Sequence, residues 1–250
     1  MNIGVHCVLF KERIASETNQ ILAELGLAGF AGAEIGARFF GLDEKAKLTD
    51  ALNNCGMALS GLHIGTSFTE LEENEEAVTE RVAKAASFLQ DMPNRNILFS
   101  CMKPKEFNIS EAAHVINKLA LQCTEKGVAL HYHNHAHEFE NDMEIFRQLL
   151  EKVPTLLFCL DLGWILKAER DPIAIVEQHS KRIRYVHLRD WCPQDGFVAL
   201  GNGLMDYKKL LPTLKNNLGA DGWAVVEYED GAQDTGRYKE AIDYLNSLGC

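Results

Sequence analysis

Short apolar runs rich in β-formers alternate with longer helical patterns along the whole chain. Each run is followed by room for a helix, and strict strand–helix alternation of this kind predicts a parallel sheet. Eight runs are predicted as strands: 3–8, 31–35, 58–64, 96–101, 128–133, 156–161, 183–188 and 223–228. Eight such units in 250 residues fit a closed barrel better than an open doubly wound sheet. We therefore predict an α/β protein, a single (β/α)8 TIM barrel over residues 1–250 with no second domain.

Several helix starts are visible between these strands. Ser110 precedes a helical run, Asp171-Pro172 supplies an N-cap followed by proline, and Asp206 caps residues 207–218. Residues 70–90 carry acidic side chains early and basic ones later, which suits a helix dipole. We expect one helix there.

Composition narrows the classes of protein. The chain is 46% hydrophobic and 24% charged, as ordinary globular proteins are. Its net charge of −11 argues against a nucleic-acid partner, and no apolar run approaches the roughly 18 residues of a membrane span. The seven cysteines form no CxxC pair and the first residues lack the order of a signal peptide, so we expect a cytoplasmic protein. The sequence leaves the oligomeric state open, a homo-oligomer included.

Residue types suited to catalysis recur where the predicted strands end. In a (β/α)8 barrel, functional side chains gather at the carboxyl ends of the strands. The residues and segments at these ends are His6, Glu34, His63, 131–138, Asp161, 187–190 and 227–229. The sequence therefore predicts a polar site at one end of the barrel.

Side-chain alternation selects four of these residues, because every second residue of a strand points to the same face. Asp161 shares a face with Cys159, and Glu227 shares one with Val225. By the same alternation the inward ends of the last four strands offer His133, Asp161, His187 and Glu227. Two imidazoles and two carboxylates predict a divalent-metal site that suits Mn²⁺, Co²⁺ or Zn²⁺ better than Ca²⁺.

Simpler interpretations exist for the same residues. Asp161 and Glu227 are also suited to ion pairs with Arg189 or Lys167, and a lone histidine is more often a hydrogen-bonded core residue. The assignment of His133 competes with three neighbours: His131, His135 and Glu138. For His6, Glu34 and His63, buried polar residues bonded to adjacent strands are the alternative.

Several blocks of sequence resemble those of one family. Residues 131–139, HYHNHAHEF, resemble the YHNHxxEF signature of the sugar phosphate isomerase/epimerase group, the xylose isomerase-like TIM barrels. Segments 32–35, 61–63, 160–164, 185–190, 200–203 and 222–227 resemble further blocks of that group in the expected order. The resemblance covers nearly the whole chain.

The resemblance implies one divalent metal, Mn, Co, Zn or Mg, held at the ends of strands 5 to 8. Asp161, His187 and Glu227 match the last three ligands of the family. The usual ligand on strand 5 is a glutamate that also transfers protons. Here His133 stands in its place, as in the YHNH branch, which includes inosose dehydratases. Trp164 stands where many members have a histidine.

The implied function is that of a metal-dependent isomerase or epimerase acting on a small keto-sugar or polyol through an enediolate. Expected catalytic residues are Glu227, His133, Glu138 and His63. Expected substrate-binding residues are His6, Glu34, His135, Trp164 and Arg189, with Trp164 as a wall for a sugar face. The turn at 201–203 is as well suited to touching the substrate as to a plain turn.

Three other functions compete. A lyase such as an inosose dehydratase would use the same metal site. Because His133 occupies the strand 5 position, this is the second most favoured function. A zinc endonuclease IV relative would need about eight metal ligands and a basic surface, and the acidic balance argues against it. A non-catalytic sugar-binding protein would keep the pocket without the base.

Overall fold

Eight parallel strands close into a barrel in the computed structural model, which describes residues 1–249. The strands are β1 (Asn2–His6), β2 (Gly32–Gly36), β3 (Ala58–Ser67), β4 (Asn96–Met102), β5 (Ala129–His133), β6 (Leu157–Asp161), β7 (Ile183–Leu188), β8 (Asp190–Cys192), β9 (Gly196–Val198) and β10 (Trp223–Val226). β1 pairs with both β2 and β10, which closes the barrel, while β8 and β9 form a separate antiparallel hairpin. The predicted (β/α)8 barrel is confirmed, and the ends of its eight strands differ from the predicted ones by at most three residues.

Helices follow the barrel strands and surround them. The α-helices are α1 (Arg13–Ser16), α2 (Thr18–Ala28), α3 (Lys45–Asn54), α4 (Phe68–Glu73), α5 (Glu75–Leu89), α6 (Ile109–Glu125), α7 (Glu144–Lys152), α8 (Leu162–Lys167), α9 (Pro172–Gln178), α10 (Tyr207–Leu218) and α11 (Gly236–Ser247). Short 3-10 turns occupy Cys7–Phe10, Ala136–Glu138, Asn141–Met143 and Ser180–Arg182. No helix of residues 1–249 is long and apolar enough to cross a membrane.

The helix caps agree with the sequence in two places and differ in a third. Asp171 caps α9 and Asp206 caps α10 through backbone N–H groups, as predicted. The cap of α6 is Asn108, whose Oδ1 accepts from the backbone N–H groups of Ser110 and Glu111. The helix therefore begins one residue before Ser110.

The single helix expected over residues 70–90 is wrong. Asn74, at φ −137° and ψ 43°, leaves the helical region and separates α4 from α5. A cap of its own starts α4, because Ser67 Oγ accepts from the Glu70 backbone N–H at 3.1 Å. The acidic residues around the break remain largely exposed.

A small hydrophobic cluster lies inside the barrel, with the hydroxyl of Tyr185 hydrogen-bonded to Ser60. The cluster consists of Leu98, Cys159, Tyr185, Trp223 and Val225, all at most 4% exposed. A larger core fills the space between the strands and the helices. The six cysteines of the described part of the chain are free thiols.

The hairpin β8–β9 was not predicted, and a buried carboxylate organises the loop behind it. Asp190, fully buried, accepts the backbone N–H groups of Gly201, Gly203 and Met205 at 2.9 to 3.0 Å. A side chain at Gly203 would overlap this carboxylate. The turn at 201–203 therefore wraps Asp190, and none of its residues lines the central cavity described below.

Candidate metal centre

Strand register places the four predicted ligands at one end of the barrel. Asp161 pairs with His187 across β6 and β7, and His187 pairs with Val225, two residues before Glu227. His133, Asp161, His187 and Glu227 are each at most 2% exposed. One ligand atom from each lies within 4.8 Å of the others. The structure thus brings together the four residues that alternation selected.

The separations between their donor atoms suit a shared cation. His187 Nδ1 lies 2.5 Å from Glu227 Oε2 and 2.9 Å from His133 Nε2. His133 Nε2 lies 3.7 Å from both Asp161 Oδ2 and Glu227 Oε2. Ligands bound at about 2.1 Å from one ion are roughly 3 to 3.6 Å apart. Small adjustments would therefore let all four bind one divalent ion.

Hydrogen bonding within the protein does not account for all these atoms. Within residues 1–249, Glu227 Oε2 has no hydrogen bond of acceptable geometry, although His187 Nδ1 is close by. His133 Nε2 and His187 Nδ1 face each other. Two lone pairs at this distance would repel, so a proton or a cation must lie between the two nitrogens. Because buried polar atoms are normally paired, this donor set fits a divalent cation.

Neighbouring groups fix the orientation of Asp161. Its backbone N–H donates to Asn134 Oδ1 at 3.0 Å, and Asn134 Nδ2 donates back to its carbonyl at 3.2 Å. Asp161 Oδ1 accepts the Trp164 N–H at 2.9 Å and so caps α8. This leaves Oδ2 directed towards His133. Sequence reasoning missed Asn134, although it lies within the YHNH run.

Burial and neighbouring charges shift the pKa values of the four residues in different directions. Burial raises the pKa of Asp161 to about 7 and lowers the pKa of His133 to about 3. Burial alone would lower the pKa of His187, but Cys159, Glu34 and Glu227 outweigh it and raise that pKa well above its usual value. Glu227 shows the reverse: burial is outweighed by His187 and His6, and its pKa lies well below the usual range. Neutral His133 has a lone pair available for a metal.

A cavity of about 330 Å³ is lined by two of the four candidate ligands, His133 and Glu227. This volume lies at the lower end of the range for small-molecule sites, roughly 300–1,000 Å³. The ionisable residues that line it include His6, His63, His133, His135, Glu227 and Glu229. His6 Nδ1 lies 3.2 Å from Glu227 Oε1, and the His6 and His63 rings stack with centroids 5.0 Å apart. His6, predicted to bind substrate, and His63, predicted to be catalytic, therefore both line the cavity, and their roles stay predictions.

Glu34 does not stand free to bind a substrate hydroxyl. The carboxylate is fully buried and does not line the cavity. Its Oε2 accepts from Tyr185 Oη at 2.8 Å and lies 2.7 Å from His187 Nε2, while Oε1 lies 3.1 Å from His63 Nδ1. Both oxygens are engaged by the protein, so this geometry favours a role within the protein, and the direct substrate contact stays a prediction.

Arg189 is also held by the protein. It is 3% exposed, and its Nη1 lies 3.4 Å from Asp161 Oδ2 while Nη2 lies 3.3 Å from Glu229 Oε2. Phe197 of the hairpin stacks on the guanidinium, with 3.8 Å between Cζ and the ring centroid. Arg189 lines a second, adjacent cavity rather than the central one. Its geometry favours neutralising Asp161 over the expected substrate contact.

Trp164 and Glu138 likewise lie outside the lining of the central cavity. Trp164 packs edge-on against Phe197 with ring centroids 4.6 Å apart. Glu138 Oε1 accepts from Tyr132 Oη at 2.7 Å, and Oε2 accepts from the His135 N–H at 2.7 Å. The geometry therefore favours a structural role for Glu138 over catalysis, and a hairpin contact for Trp164 over a sugar-facing wall.

Comparisons with known proteins agree with this fold. A family model described as xylose isomerase-like TIM barrel matches residues 20–248. Inosose dehydratase from Clostridium beijerinckii is 26% identical over 249 residues, covering 84% of this chain and 81% of that protein.

Two solved structures have the same architecture. A sugar phosphate isomerase/epimerase from Parabacteroides distasonis is similar with a TM-score of 0.77 at 19% identity, covering 98% of this chain and 94% of that one. The probable 3-DHS dehydratase from Bacillus anthracis is similar with a TM-score of 0.79 at 14% identity, covering 98% and 99%. Identities this low support the fold alone. The family model covers most of the chain, and it shows that the chain belongs to the xylose isomerase-like TIM barrel family.

Proposed function

We propose that this protein is a metal-dependent isomerase or epimerase of a small keto-sugar or polyol. The observation that carries the proposal is the convergence of His133, Asp161, His187 and Glu227. Two of them, His133 and Glu227, line a cavity of small-molecule size. The ion would be Mn²⁺, Co²⁺, Zn²⁺ or Mg²⁺. A small carbohydrate is the proposed partner, and a cytoplasmic location remains a prediction.

The bound ion would supply Lewis-acid polarisation of a substrate ketone and its adjacent hydroxyl, which acidifies the α-carbon proton. Glu227 is the proposed base, because it lines the cavity and its Oε1 is the oxygen turned away from His133 and His187. His6 Nδ1, 3.2 Å from that oxygen, is placed to exchange a proton with it. Return of the proton to the neighbouring carbon gives isomerisation, and return to the opposite face gives epimerisation.

Dehydration of a cyclic hydroxyketone is the second candidate, and two observations favour it. The curated relative from Clostridium beijerinckii is an inosose dehydratase, and His133 replaces the glutamate expected for two-glutamate proton transfer. His135 lines the cavity, and its Nδ1 has no hydrogen-bond partner within residues 1–249. An imidazole there would hydrogen-bond the leaving hydroxyl, and the α-proton that Glu227 removes would leave with it as water.

Incubation of the metal-loaded protein with ketoses and inososes in D₂O, followed by NMR and mass spectrometry, separates these outcomes. Deuterium at an α-carbon of a product with the substrate's atomic composition supports isomerisation or epimerisation. Loss of water identifies a lyase. No exchange with any member of the panel would contradict the enzymatic proposal and leave a sugar-binding protein.

A matched pair of variants ties the exchange to the proposed base. Glu227→Gln should reduce deuterium incorporation at least about 100-fold, the lower range for losing a general base. Glu73→Gln makes the same chemical change on an exposed helix end and should exchange as the unaltered protein does. Equal exchange by both variants would remove Glu227 from the mechanism.

A further inference from the structure

Glu34 is a buried carboxylate that contacts a proposed metal ligand and a cavity-lining imidazole at once. It lies on β2, opposite His6 of β1, and is fully buried. Between Ala33 and Glu34 the pairing with β3 shifts register, so that Glu34 lies beside Gly61 and Ser60 is the extra residue. Ser60 Oγ in turn lies 2.8 Å from Tyr185 Oη. This irregularity belongs to the arrangement that holds the carboxylate.

The two oxygens of Glu34 contact different histidines. Oε2 lies 2.7 Å from His187 Nε2 and accepts from Tyr185 Oη at 2.8 Å. Oε1 lies 3.1 Å from His63 Nδ1, and His63 Nε2 lies 3.0 Å from Ser100 Oγ. One rigid carboxylate therefore fixes both the ring of His187 and the ring of His63.

The contact with His187 also sets which nitrogen would bind a metal ion. An imidazole that donates its Nε2 proton to Glu34 must present Nδ1 to the other side of the ring. His187 Nδ1 is the atom that faces His133 and Glu227. A carboxylate behind a metal-binding histidine orients the ring and increases its basicity.

We infer that Glu34 is a positioning residue that holds His187 in the tautomer and orientation required to bind the metal ion. This inference rests on the proposed metal site and adds a residue outside the four ligands. It replaces the substrate contact expected from the sequence. An alternative role, in which Glu34 only satisfies buried donors, would leave metal affinity unchanged when its charge is removed.

The test compares the metal affinity of Glu34→Gln and Tyr185→Phe with that of the unaltered protein. Metal-free protein is titrated with Mn²⁺ or Zn²⁺ by calorimetry, after circular dichroism has established that each variant is folded. Glu34→Gln should weaken binding about 10- to 100-fold, the range for losing such an outer partner. Tyr185→Phe removes the other donor to Oε2 but keeps the carboxylate, and should fall below that range. Equal losses in both, or none in Glu34→Gln, would overturn the inference.

Two further variants keep the test decisive. Glu34→Asp retains the charge but withdraws the carboxylate, so it should also lose affinity and should change the visible spectrum of bound Co²⁺. An unchanged spectrum with unchanged affinity would contradict the inference even if Glu34→Gln fails to fold. His187→Ala separates the two proposals. If it keeps full affinity, the metal site itself is wrong; if it alone loses affinity, only the role of Glu34 is wrong.

Discussion

The inward-facing side chains of the barrel form two layers, and the two layers have different roles. The lower layer is formed by Leu98, Cys159, Tyr185, Trp223 and Val225. The upper layer is formed by His133, Asp161, His187 and Glu227. Val225 and Glu227 follow each other on one inward face of the last barrel strand and its end, so alternation alone does not separate them. What separates them is position, because the central cavity is lined by Glu227 and not by Val225.

The layers also differ in what burial costs. Apolar side chains are stabilised by leaving water, whereas buried ionisable groups are destabilising unless they are paired or bind a metal. The upper layer partly offsets this through Arg189, which contacts Asp161. We therefore expect the lower layer to set stability and the upper layer to set metal binding. Four substitutions follow, from the largest expected effect to the smallest: one in each layer, one beside the site and one far from both.

His187→Ala should abolish the metal function of the upper layer. Removing one ligand should weaken Mn²⁺ or Zn²⁺ binding by more than about 100-fold, the upper range for outer partners. Calorimetric titration of the metal-free protein measures it. His114→Ala, on the exposed face of α6, is the matched control. Full metal affinity in His187→Ala would show that the upper layer does not set metal binding.

Leu98→Ala should lower stability and leave metal binding unchanged. Truncating this fully buried side chain should lower the free energy of unfolding by about 2–5 kcal/mol, measured by urea denaturation, since it leaves a cavity. Metal affinity of the folded protein should be unchanged. Leu121→Ala, at a side chain 45% exposed, should cost no more than about 0.5 kcal/mol. If Leu98→Ala also lost metal affinity, the lower layer would not be limited to stability, which would contradict the proposed division.

Glu138→Gln asks whether a buried carboxylate beside the site is structural. Replacing one oxygen by an amide forces a donor towards Tyr132 or the His135 N–H, so the free energy of unfolding should fall by about 1–3 kcal/mol. Urea denaturation measures that loss, and metal affinity should remain. The observation against it would be full stability together with lost deuterium exchange, as the catalytic role expected from the sequence requires.

Asp171→Ala should produce the smallest change, far from both layers. Loss of the cap on α9 should cost about 1 kcal/mol, seen as a lower thermal midpoint. Asp171→Asn keeps a side-chain oxygen for the same N–H groups and should stay near the unaltered value. A larger loss in Asn than in Ala would argue that the cap is not the cause.

The barrel and its four candidate ligands were predictable because they depend on local patterns. Strand–helix alternation specified the barrel, and the period of two along each strand selected Asp161, His187 and Glu227 as inward residues. Their convergence then follows from the shared carboxyl end of parallel strands. His133 was predictable by the same alternation, although its neighbours competed for the role.

Other features depend on contacts between segments distant in the chain. Glu34 is bound by His63 and by Tyr185, 29 and 151 residues away, so no local pattern marks its oxygens as engaged. Arg189 is covered by a hairpin whose strands have only three residues each. The break at Asn74 arises from a single residue inside a strongly helical composition. Partners of this kind appear only in the folded chain.

The most direct test is a metal titration of the metal-free protein and of Asp161→Asn. We expect the unaltered chain to bind one divalent ion per molecule through His133, Asp161, His187 and Glu227. Asp161→Asn keeps the shape of the side chain but removes its charge, and should bind at least about 100-fold more weakly. Absence of binding by the unaltered chain, or equal affinity in the variant, would contradict the proposed metal centre.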